Sequence, residues 1–505
     1  MASMWLDNKM GTAAALAFLA AKLTIALWWK PLQIAKHFQS QGIAGPPYKL
    51  LLGNSLEFTK FMSEATANSM KLSHDIVARL QPWYSYWSKI YGSTFLMWLG
   101  PIPTLVIGRC ELEKEALGDK MGSYGIKWDP VMKDILGEGL VELNGDKWAH
   151  HRRIVNPSFH TDKLKDMVCC MVESTVNMLQ KWEKAVKNDE KEVDVAEEFK
   201  ALTSDVIART AFGSSYLQGK HIFDLLAQQM SLACQDSVKL MVPGYRFLPF
   251  KRNRQRWRLN REIKRALKEL ITNREKAGPN TTQGYGNDLL GSMMNTIQEM
   301  RSSESNQGLT IEEIIAECKT FFIAGQETTS NYLTFAIVLL AMHPDWQDQA
   351  RSEVQQLGMI LNEVIRLYPP IAVFRREIHK DTTLGGIAIP EGTQVIFPTL
   401  SFNHDTSLWG EDANEFKPER FSEGISKAAK DDSAAFIPFG YGLRSCMGKN
   451  YAMLETKVAL AMILQRFSFV LSPGYVHAPT SFVTMFPQHG ALIILHNLHS
   501  DESTV

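Results

Sequence analysis

The sequence predicts a mainly α-helical fold with a minor β part, preceded by one N-terminal transmembrane helix. Helix-like spacing of apolar residues dominates the chain, and the long segments that show it are 162–186, 253–277, 312–342 and 345–368. Strand-like segments are few and short, namely 94–99, 104–107, 394–398 and 491–495. A mostly apolar run over 11–29 precedes all of them, and its length suits one membrane-spanning helix.

The apolar run predicts how the chain is organised. Lys30 and Lys36 follow the run closely, and positive charge beyond a span favours a cytosolic location for the part downstream. A cleaved signal peptide is the alternative, but no small-residue cleavage pattern follows the run. We therefore expect residues 1–30 to form a membrane anchor and residues 31–505 to form a single domain.

Composition excludes several classes of protein. Lys and Arg total 54, and so do Asp and Glu, whereas a nucleic-acid binder usually carries a basic excess. The six cysteines show no spacing typical of a disulfide framework or a zinc site. A G-x-G-x-x-G pattern is also missing from the sequence, so we expect no nicotinamide or flavin to bind this chain directly.

A cysteine-containing loop carries the strongest chemical pattern. Residues 439–448 read FGYGLRSCMG, which has the form F-x-x-G-x-R-x-C-x-G. Glycines on both sides of Cys446 let the backbone approach a bound group closely. Backbone amides and the start of a helix predicted over 450–464 would stabilise a thiolate, and Arg444 can pair with a carboxylate of the bound group. The pattern predicts that Cys446 is a metal ligand.

A second pattern lies inside the helix predicted over 312–342, where residues 324–329 read AGQETT. Gly325 and the neighbouring hydroxyl residues weaken the helical hydrogen-bond ladder and leave room beside it. Glu327 and Thr328 place an acid and an alcohol side by side, which suits proton transfer to a bound reactant. Taken alone, the segment also fits an ordinary core helix with a few polar residues.

These two patterns, with three others in the same chain order, resemble the cytochrome P-450 family. The others are W-x-x-x-R over 148–152, E-x-x-R over 363–366 and P-E-R-F within 416–421. Segments 311–319 and 486–490 are similar to plant members of clan seventy-two. The resemblance extends from about residue 31 to the C-terminus, and it implies a cytochrome P-450 fold.

The resemblance also implies a role for each candidate residue. Cys446 would ligate the iron of haem b, and the catalytic pair would be Glu327 and Thr328. The residues implied to bind the cofactor are Trp148, Arg152, Arg376, Phe439, Arg444 and Cys446, with Arg375 as the alternative to Arg376. Glu363, Arg366 and Arg420 would form a structural network behind the haem. His150 and His151 are interpreted as surface or supporting groups, because adjacent residues of a helix do not face each other.

The function implied is that of a monooxygenase that hydroxylates a small apolar substrate such as a hormone, a terpenoid or a fatty acid. A thiolate ligand favours cleavage of the O–O bond. Electrons would come from NADPH through a membrane-bound flavoprotein reductase, and the protein would lie in the endoplasmic reticulum membrane as a single-pass protein in contact with lipid. Segments implied to contact the substrate are 121–137, the start of the 312–342 helix, 371–374 and 484–486.

One departure from the family pattern raises alternatives. About twenty connecting residues that the family carries before its E-x-x-R helix are missing after Gln356. Segment 345–368 should therefore form one nearly continuous helix, which would leave the network of Glu363, Arg366 and Arg420 half assembled. An inactive haem-binding relic with weak haem binding is one alternative function. A haem-thiolate isomerase or dehydratase is the other, although that chemistry has no need of the Glu327–Thr328 pair.

Overall fold

The computed structural model describes residues 14–127, 130–189, 191–213, 216–242, 244–278, 285–286, 288–302, 308–353, 356–429 and 434–498. The first ten helices are α1 (Ala14–Gln39), α2 (Ser55–Thr66), α3 (Val77–Leu80), α4 (Pro82–Tyr91), α5 (Cys110–Leu117), α6 (Pro130–Leu136), α7 (Gly145–Val155), α8 (Thr161–Lys187), α9 (Val195–Phe212) and α10 (Tyr216–Gln235). The later helices are α11 (Ser237–Met241), α12 (Lys251–Ala277), α13 (Leu289–Ser302), α14 (Ile311–Met342), α15 (Pro344–Ser352), α16 (Gln356–Leu367), α17 (Thr399–Asn403), α18 (Thr406–Trp409) and α19 (Lys449–Arg466).

Short strands make up the β part. They are β1 (Thr94–Leu99), β2 (Ile102–Ile107), β3 (Tyr124–Gly125), β4 (Glu192–Asp194), β5 (Phe374–Ile378), β6 (Thr382–Leu384), β7 (Ile387–Ile389), β8 (Gln394–Phe397), β9 (Phe467–Leu471), β10 (Pro479–Ser481), β11 (Met485–Pro487) and β12 (Leu492–Asn497). The largest sheet has the order β1-β2-β8-β5-β3 and a second has the order β4-β12-β9. The predicted fold class, mainly α with a minor β part, is confirmed.

Helix α14 is the central element of the core. A capping box starts it, because Glu313 N donates to Thr310 Oγ1 over 3.2 Å and Thr310 N donates to Glu313 Oε2 over 3.0 Å. Its second half is buried almost without interruption, which agrees with its nearly all-apolar sequence. The helix is therefore held on all sides, and it gives the polar residues inside it fixed positions.

Helix α1 is the one helix, among the described residues, that is long and apolar enough to cross a membrane. Its apolar side chains are exposed, Leu16, Phe18 and Leu19 among them. A π-helical turn over Ile25–Trp29 precedes Pro31, which lacks the N–H that an ordinary α-turn would use there. Beyond this turn Phe38 is buried against the sheet, so the end of α1 ties the apolar run to the folded body.

The expectation of one continuous helix over 345–368 is wrong. Helix α15 ends at Ser352, Glu353 is extended with φ −141° and ψ 111°, and α16 begins at Gln356. The break accompanies tertiary contacts on both sides of it, because Trp346 on α15 and Leu357 on α16 pack into the core, and Glu363 farther along α16 reaches Arg420. Losing a turn costs a few hydrogen bonds of about 0.5–1.5 kcal/mol each, which core packing offsets.

The break also lets the buried ion-pair network form completely. Glu363 and Arg366 are fully buried and share two hydrogen bonds of 2.7 Å. Arg420 Nε lies 3.4 Å from Glu363 Oε1, and the backbone N–H of Lys417 donates to the same oxygen. Arg366 also donates to the Asn403 and Ala413 carbonyls. The expectation of a half-assembled network is therefore wrong as well.

Candidate active site

The loop that carries Cys446 is held by its own backbone. Cys446 N donates to the Phe439 carbonyl over 2.8 Å, and Ser445 N donates to the Gly442 carbonyl over 3.1 Å. Gly440 and Gly442 have φ of +71° and +70°, a conformation that side chains with a Cβ rarely adopt. A Cβ on Gly442 would also lie 2.5 Å from the Leu117 carbonyl oxygen. Both glycines therefore serve the turn of the loop, and Gly442 also lets it lie against α5; their approach to a bound group stays a prediction.

The Cys446 thiol lies directly before the N-terminus of α19. Its surface is accessible, yet burial raises its pKa, while the backbone N–H groups of Gly448 and Lys449 and the charge of Arg152 oppose that shift. Accessible surface combined with strong desolvation fits a thiol that faces an internal cavity instead of open solvent. Donor amides and a helix N-terminus are the features that stabilise a thiolate once a metal ion removes the proton.

Three arginines and a tryptophan gather beside this loop. Arg152 Nη2 donates to the Ser445 carbonyl over 3.0 Å, and Arg444 Nη2 donates to Asn144 Oδ1 over 2.8 Å. The Trp148 ring lies 4.8 Å from the Arg444 guanidinium and 6.0 Å from that of Arg152. Arg376 is buried on β5, within electrostatic reach of Arg444. The W-x-x-x-R pair and the two later arginines are thus brought together.

The arginines lack the anions that normally balance such charges. Burial lowers the pKa of Arg376 to about 10 and that of Arg444 to about 10, and in each case a neighbouring arginine adds to the shift. Within the part of the chain that the structure describes, Arg152, Arg376 and Arg444 form no ion pair with a carboxylate. Buried cations of this kind need a compensating anion. A group with two carboxylates beside a thiol-bound iron, as in haem, fits this donor set.

Helix α9 packs tightly against the AGQETT segment of α14. A Cβ on Gly325 would lie 2.8 Å from Cδ1 of Ile207, so this glycine allows close contact between the two helices. Thr203 Oγ1 donates to the Gln326 carbonyl over 3.1 Å, which draws one helical carbonyl sideways. Ala324 and Thr328 keep accessible surface although the flanking turns of α14 are buried. The helix stays continuous here; the space beside Gly325 is taken by Ile207, and accessible surface remains at Ala324 and Thr328.

Glu327 and Thr328 have different partners. Thr328 Oγ1 donates to the Ala324 carbonyl over 2.7 Å. Glu327 Oε2 accepts a hydrogen bond from Thr484 Oγ1 over 3.4 Å, and Asn331 Nδ2 donates to the same hydroxyl over 3.1 Å. Burial raises the pKa of Glu327, and Lys200 on α9 opposes that shift. The shift favours the protonated form of this acid, which suits a proton donor.

Sequence reasoning missed several of these contacts. Asn331 and Thr484 had no assigned role beside Glu327, although Thr484 lies in a segment expected to contact substrate. His151 is fully buried and its Nδ1 lies 2.7 Å from Glu317 Oε1 on α14, so the interpretation as a surface group is wrong for this histidine. The pair joins α7 to α14. Its signal in the sequence is a carboxylate at an otherwise apolar helix position.

The structure also describes Arg376, Phe439 and part of the 121–137 segment, all of which the sequence assigns to the site. Arg376 lies within electrostatic reach of Arg444, which favours it as the cofactor-binding arginine of this segment. Phe439 packs at the edge of the main core, and the Lys449 ammonium lies 5.8 Å from its ring centre. Parts of the 121–137 segment lie outside the described residues.

Comparison with known proteins agrees with this geometry. The family model described as "Cytochrome P450" matches residues 72–493. Cytochrome P450 734A6 of Oryza sativa subsp. japonica is 44% identical, with 96% of this chain and 95% of the relative covered. Cytochrome P450 734A1 of Arabidopsis thaliana is 41% identical, with 99% of each covered. Cytochrome P450 72A397 of Kalopanax septemlobus is 41% identical, with 94% of each covered. A thiol on a glycine-containing loop, a cluster of three arginines and these matches together show that the chain belongs to the cytochrome P450 family, as a haem-thiolate monooxygenase similar to plant clan seventy-two members.

Proposed function

We propose that this protein hydroxylates a small apolar substrate at haem b held by the thiolate of Cys446. The observation that carries the proposal is the Cys446 thiol, which receives two backbone N–H groups at the start of α19 beside three arginines that form no ion pairs with carboxylates of the described residues. Bound haem supplies the dioxygen chemistry, which amino-acid side chains cannot perform alone. The remaining residues bind, orient and move protons.

Cofactor binding is assigned to the arginine cluster. Arg152, Arg376 and Arg444 would bind the haem propionates, since guanidinium groups match carboxylates in charge and shape. Trp148 would lie beside the same carboxylates, where its ring already packs against two of the guanidiniums. Phe439 would shield the sulfur from water, because its carbonyl is bonded to the Cys446 amide and its ring adjoins the loop.

Proton delivery is assigned to Glu327 and Thr328. Burial raises the pKa of Glu327 and so favours its protonated form, and Thr328 offers a hydroxyl one residue away on the accessible side of α14. Proton transfer by positioned groups of this kind contributes about 10²–10⁴-fold to a rate.

Replacing Thr328 with alanine should uncouple the reaction while leaving haem bound. Product formed per NADPH consumed is expected to fall by about 10²-fold or more as hydrogen peroxide accumulates, and Thr328→Ser should restore it. Thr334→Ala is the matched control, because that hydroxyl bonds to the Ser330 carbonyl over 2.8 Å in the same way but lies further along the buried helix. Equal coupling in Thr328→Ala and Thr334→Ala would reject the assigned role.

The partner we propose is an NADPH-dependent flavoprotein reductase in the same membrane. Exposed basic residues on α7 and α19 surround the side of the loop that carries Cys446, namely Lys147, Arg153, Lys449 and Lys457. Such a surface favours an acidic partner. Lys147 is the weakest candidate of the four for contact with the reductase, because its ammonium group already pairs with Glu313 over 2.8 Å. We place the protein in the endoplasmic reticulum membrane, with anchor 1–30 in lipid and domain 31–505 in the cytosol.

Removing residues 1–30 should release the protein from membranes without loss of haem. The cut leaves the end of α1 in place, where Phe38 is buried and His37 Nε2 lies 2.8 Å from the Ala388 carbonyl oxygen. After carbonate washing, the full chain should stay with the membranes and the shortened chain should appear in the wash with its haem. Recovery of the full chain in the wash would show that α1 is not a spanning anchor.

The substrate we propose is a hormone, a terpenoid or a fatty acid. Segments 371–374 and 484–486 are mostly apolar, and Thr484 in the second of them contacts Glu327, which favours an apolar ligand. A screen of such compounds by the shift that binding causes in the haem spectrum would identify the class. Shifts produced equally by polar sugars would contradict the assignment.

A further inference from the structure

Glu113 on α5 is a buried carboxyl group to which no role is assigned above. It has no exposed surface. One oxygen, Oε1, accepts a hydrogen bond from Thr399 Oγ1 over 2.5 Å, and the other, Oε2, has no partner among the described residues. Burial raises the pKa of this carboxyl to about 8. At neutral pH the group is therefore mostly a neutral acid with an O–H that has no acceptor among the described residues.

The position of Glu113 connects it to the arginine cluster. Helix α5 lies against the Cys446 loop so closely that Gly442 has no room for a side chain next to the Leu117 carbonyl. Arg376 is the charged group that Glu113 faces, and each affects the pKa of the other. The two do not form an ion pair within 4.0 Å, and Arg376 Nη1 donates instead to the Arg375 carbonyl over 2.8 Å.

The chemistry of the two groups suggests what belongs between them. A guanidinium has donors alone, so Arg376 cannot accept the Glu113 O–H. Both the unpaired cation and the unpaired O–H would be satisfied by one acceptor that carries negative charge. A carboxylate meets both needs, since it can accept from a guanidinium through one oxygen and from a carboxylic acid through the other.

We propose that Glu113 is a further haem-binding residue, whose protonated carboxyl group donates a hydrogen bond to the propionate that Arg376 binds. The inference rests on the proposed haem site. Thr399 then acts as a positioning residue, because its hydroxyl bond holds Oε1 and leaves Oε2 for the propionate. The site would bind a propionate through the neutral O–H of Glu113 as well as through guanidinium cations. A neutral donor limits the net positive charge that is buried beside the thiolate.

The test is the rate at which haem leaves the protein for an excess of apomyoglobin. Glu113→Leu should release haem about tenfold faster than the natural chain, which corresponds to the loss of one hydrogen bond to a charged group. Glu113→Gln should stay within about twofold, because the amide N–H still donates. Glu455→Leu is the matched control, since Glu455 is equally buried on α19 with neither oxygen partnered among the described residues, but it faces Tyr451 and not the arginines.

A second measurement keeps the proposal testable if Glu113→Leu does not fold. Raising the pH from about 7 to about 9 ionises Glu113 and removes its donor, so haem release should accelerate in the natural chain and stay flat in Glu113→Gln. The other titratable groups of this cluster include Arg152, Arg376, Arg444 and Cys446, and both proteins share them. Parallel pH profiles, or equal release from the Leu, Gln and natural proteins, would overturn the proposal.

These outcomes are separable from failure of the proposed function. If the natural chain binds no thiolate-ligated haem, the proposed function itself fails. If it binds such haem and the Glu113 variants release it at the natural rate, this inference alone is wrong.

Discussion

Replacing Cys446 with serine is expected to abolish the spectrum of thiolate-ligated haem. A serine hydroxyl does not lose its proton under conditions in which a thiol next to a metal does. The two backbone N–H groups at the start of α19 would then face a neutral oxygen in place of an anion. The difference spectrum of the reduced, carbon monoxide-bound protein is the measurement, and the long-wavelength band typical of thiolate ligation should disappear.

Cys318→Ser is the control for this experiment. Cys318 is fully buried in α14, and burial raises its pKa well above the ordinary value of a thiol. We expect this variant to keep the thiolate band, with at most a loss of stability. A Cys446→Ser protein whose spectrum is unchanged would show that another residue binds the iron, and the assignment of the whole site would fall with it.

Acidification is expected to unfold the protein well above the ordinary carboxylate range, because a group of buried histidines must stay neutral. His74 Nδ1 lies 2.9 Å from the Tyr368 hydroxyl, which lies 3.4 Å from His477 Nε2. His404 binds Asn414 and the Leu367 carbonyl. Burial lowers the pKa of His74 to about 3, that of His404 to about 4 and that of His477 to about 4.

The direction of the effect follows from these lowered pKa values. Above about pH 6.5 the three histidines are neutral in both the folded and the unfolded protein, so their titration does not change the free energy of unfolding. As the pH falls below that value, the unfolded chain binds protons that the folded protein excludes, so the free energy of unfolding falls. Each group contributes about 1.4 kcal/mol per pH unit, and together they remove about 8 kcal/mol by about pH 4.5. Domains have total stabilities of about 5–15 kcal/mol.

The free energy of unfolding measured between about pH 6.5 and pH 4.5 tests this prediction through its slope. His74→Asn combined with His477→Gln should flatten the slope by about two thirds, whatever the variant costs at neutral pH. His160→Gln, at an exposed position, should leave the slope unchanged. Equal slopes in all three proteins would show that the buried histidines do not set the acid sensitivity.

The fold was predictable from sequence where local pattern and burial agree. Strand β1 and the ends of α8 and α14 lie within a residue or two of their predicted positions, because a long apolar periodicity leaves few alternatives. The loop at Cys446 was predictable for a different reason, since residues at five fixed positions serve one chemical purpose there.

The remaining features depend on contacts between distant segments, which local pattern does not encode. The turn between α15 and α16 arises because both helices bury apolar faces, and no Gly or Pro marks it between Arg351 and Leu357. The burial of His151 depends on Glu317, 166 residues away in sequence. In the sequence, Glu113 is one of several charged residues on a short helix. Its burial arises from contacts with β5 and α17, which the local sequence does not indicate.

The missing connector after Gln356 is only weak evidence for an inactive relic. The alignment with the Oryza sativa relative spans 520 positions, more than the 505 residues of this chain, so the relative carries residues that have no counterpart here. The buried ion-pair network of Glu363, Arg366 and Arg420 is nevertheless complete in this chain. Breaking such a buried pair costs about 3–5 kcal/mol, so its presence supports a stable haem site.

Oxygen uptake by the haem-loaded chain with added flavoprotein reductase and NADPH is the most direct test of the central claim. A monooxygenase should consume dioxygen in proportion to NADPH and place one labelled oxygen atom from ¹⁸O₂ in an apolar substrate, and Cys446→Ser should do neither. A haem-saturated chain that consumes no dioxygen would contradict the claim in favour of a relic. Conversion of a peroxide without dioxygen or NADPH would contradict it in favour of an isomerase or dehydratase.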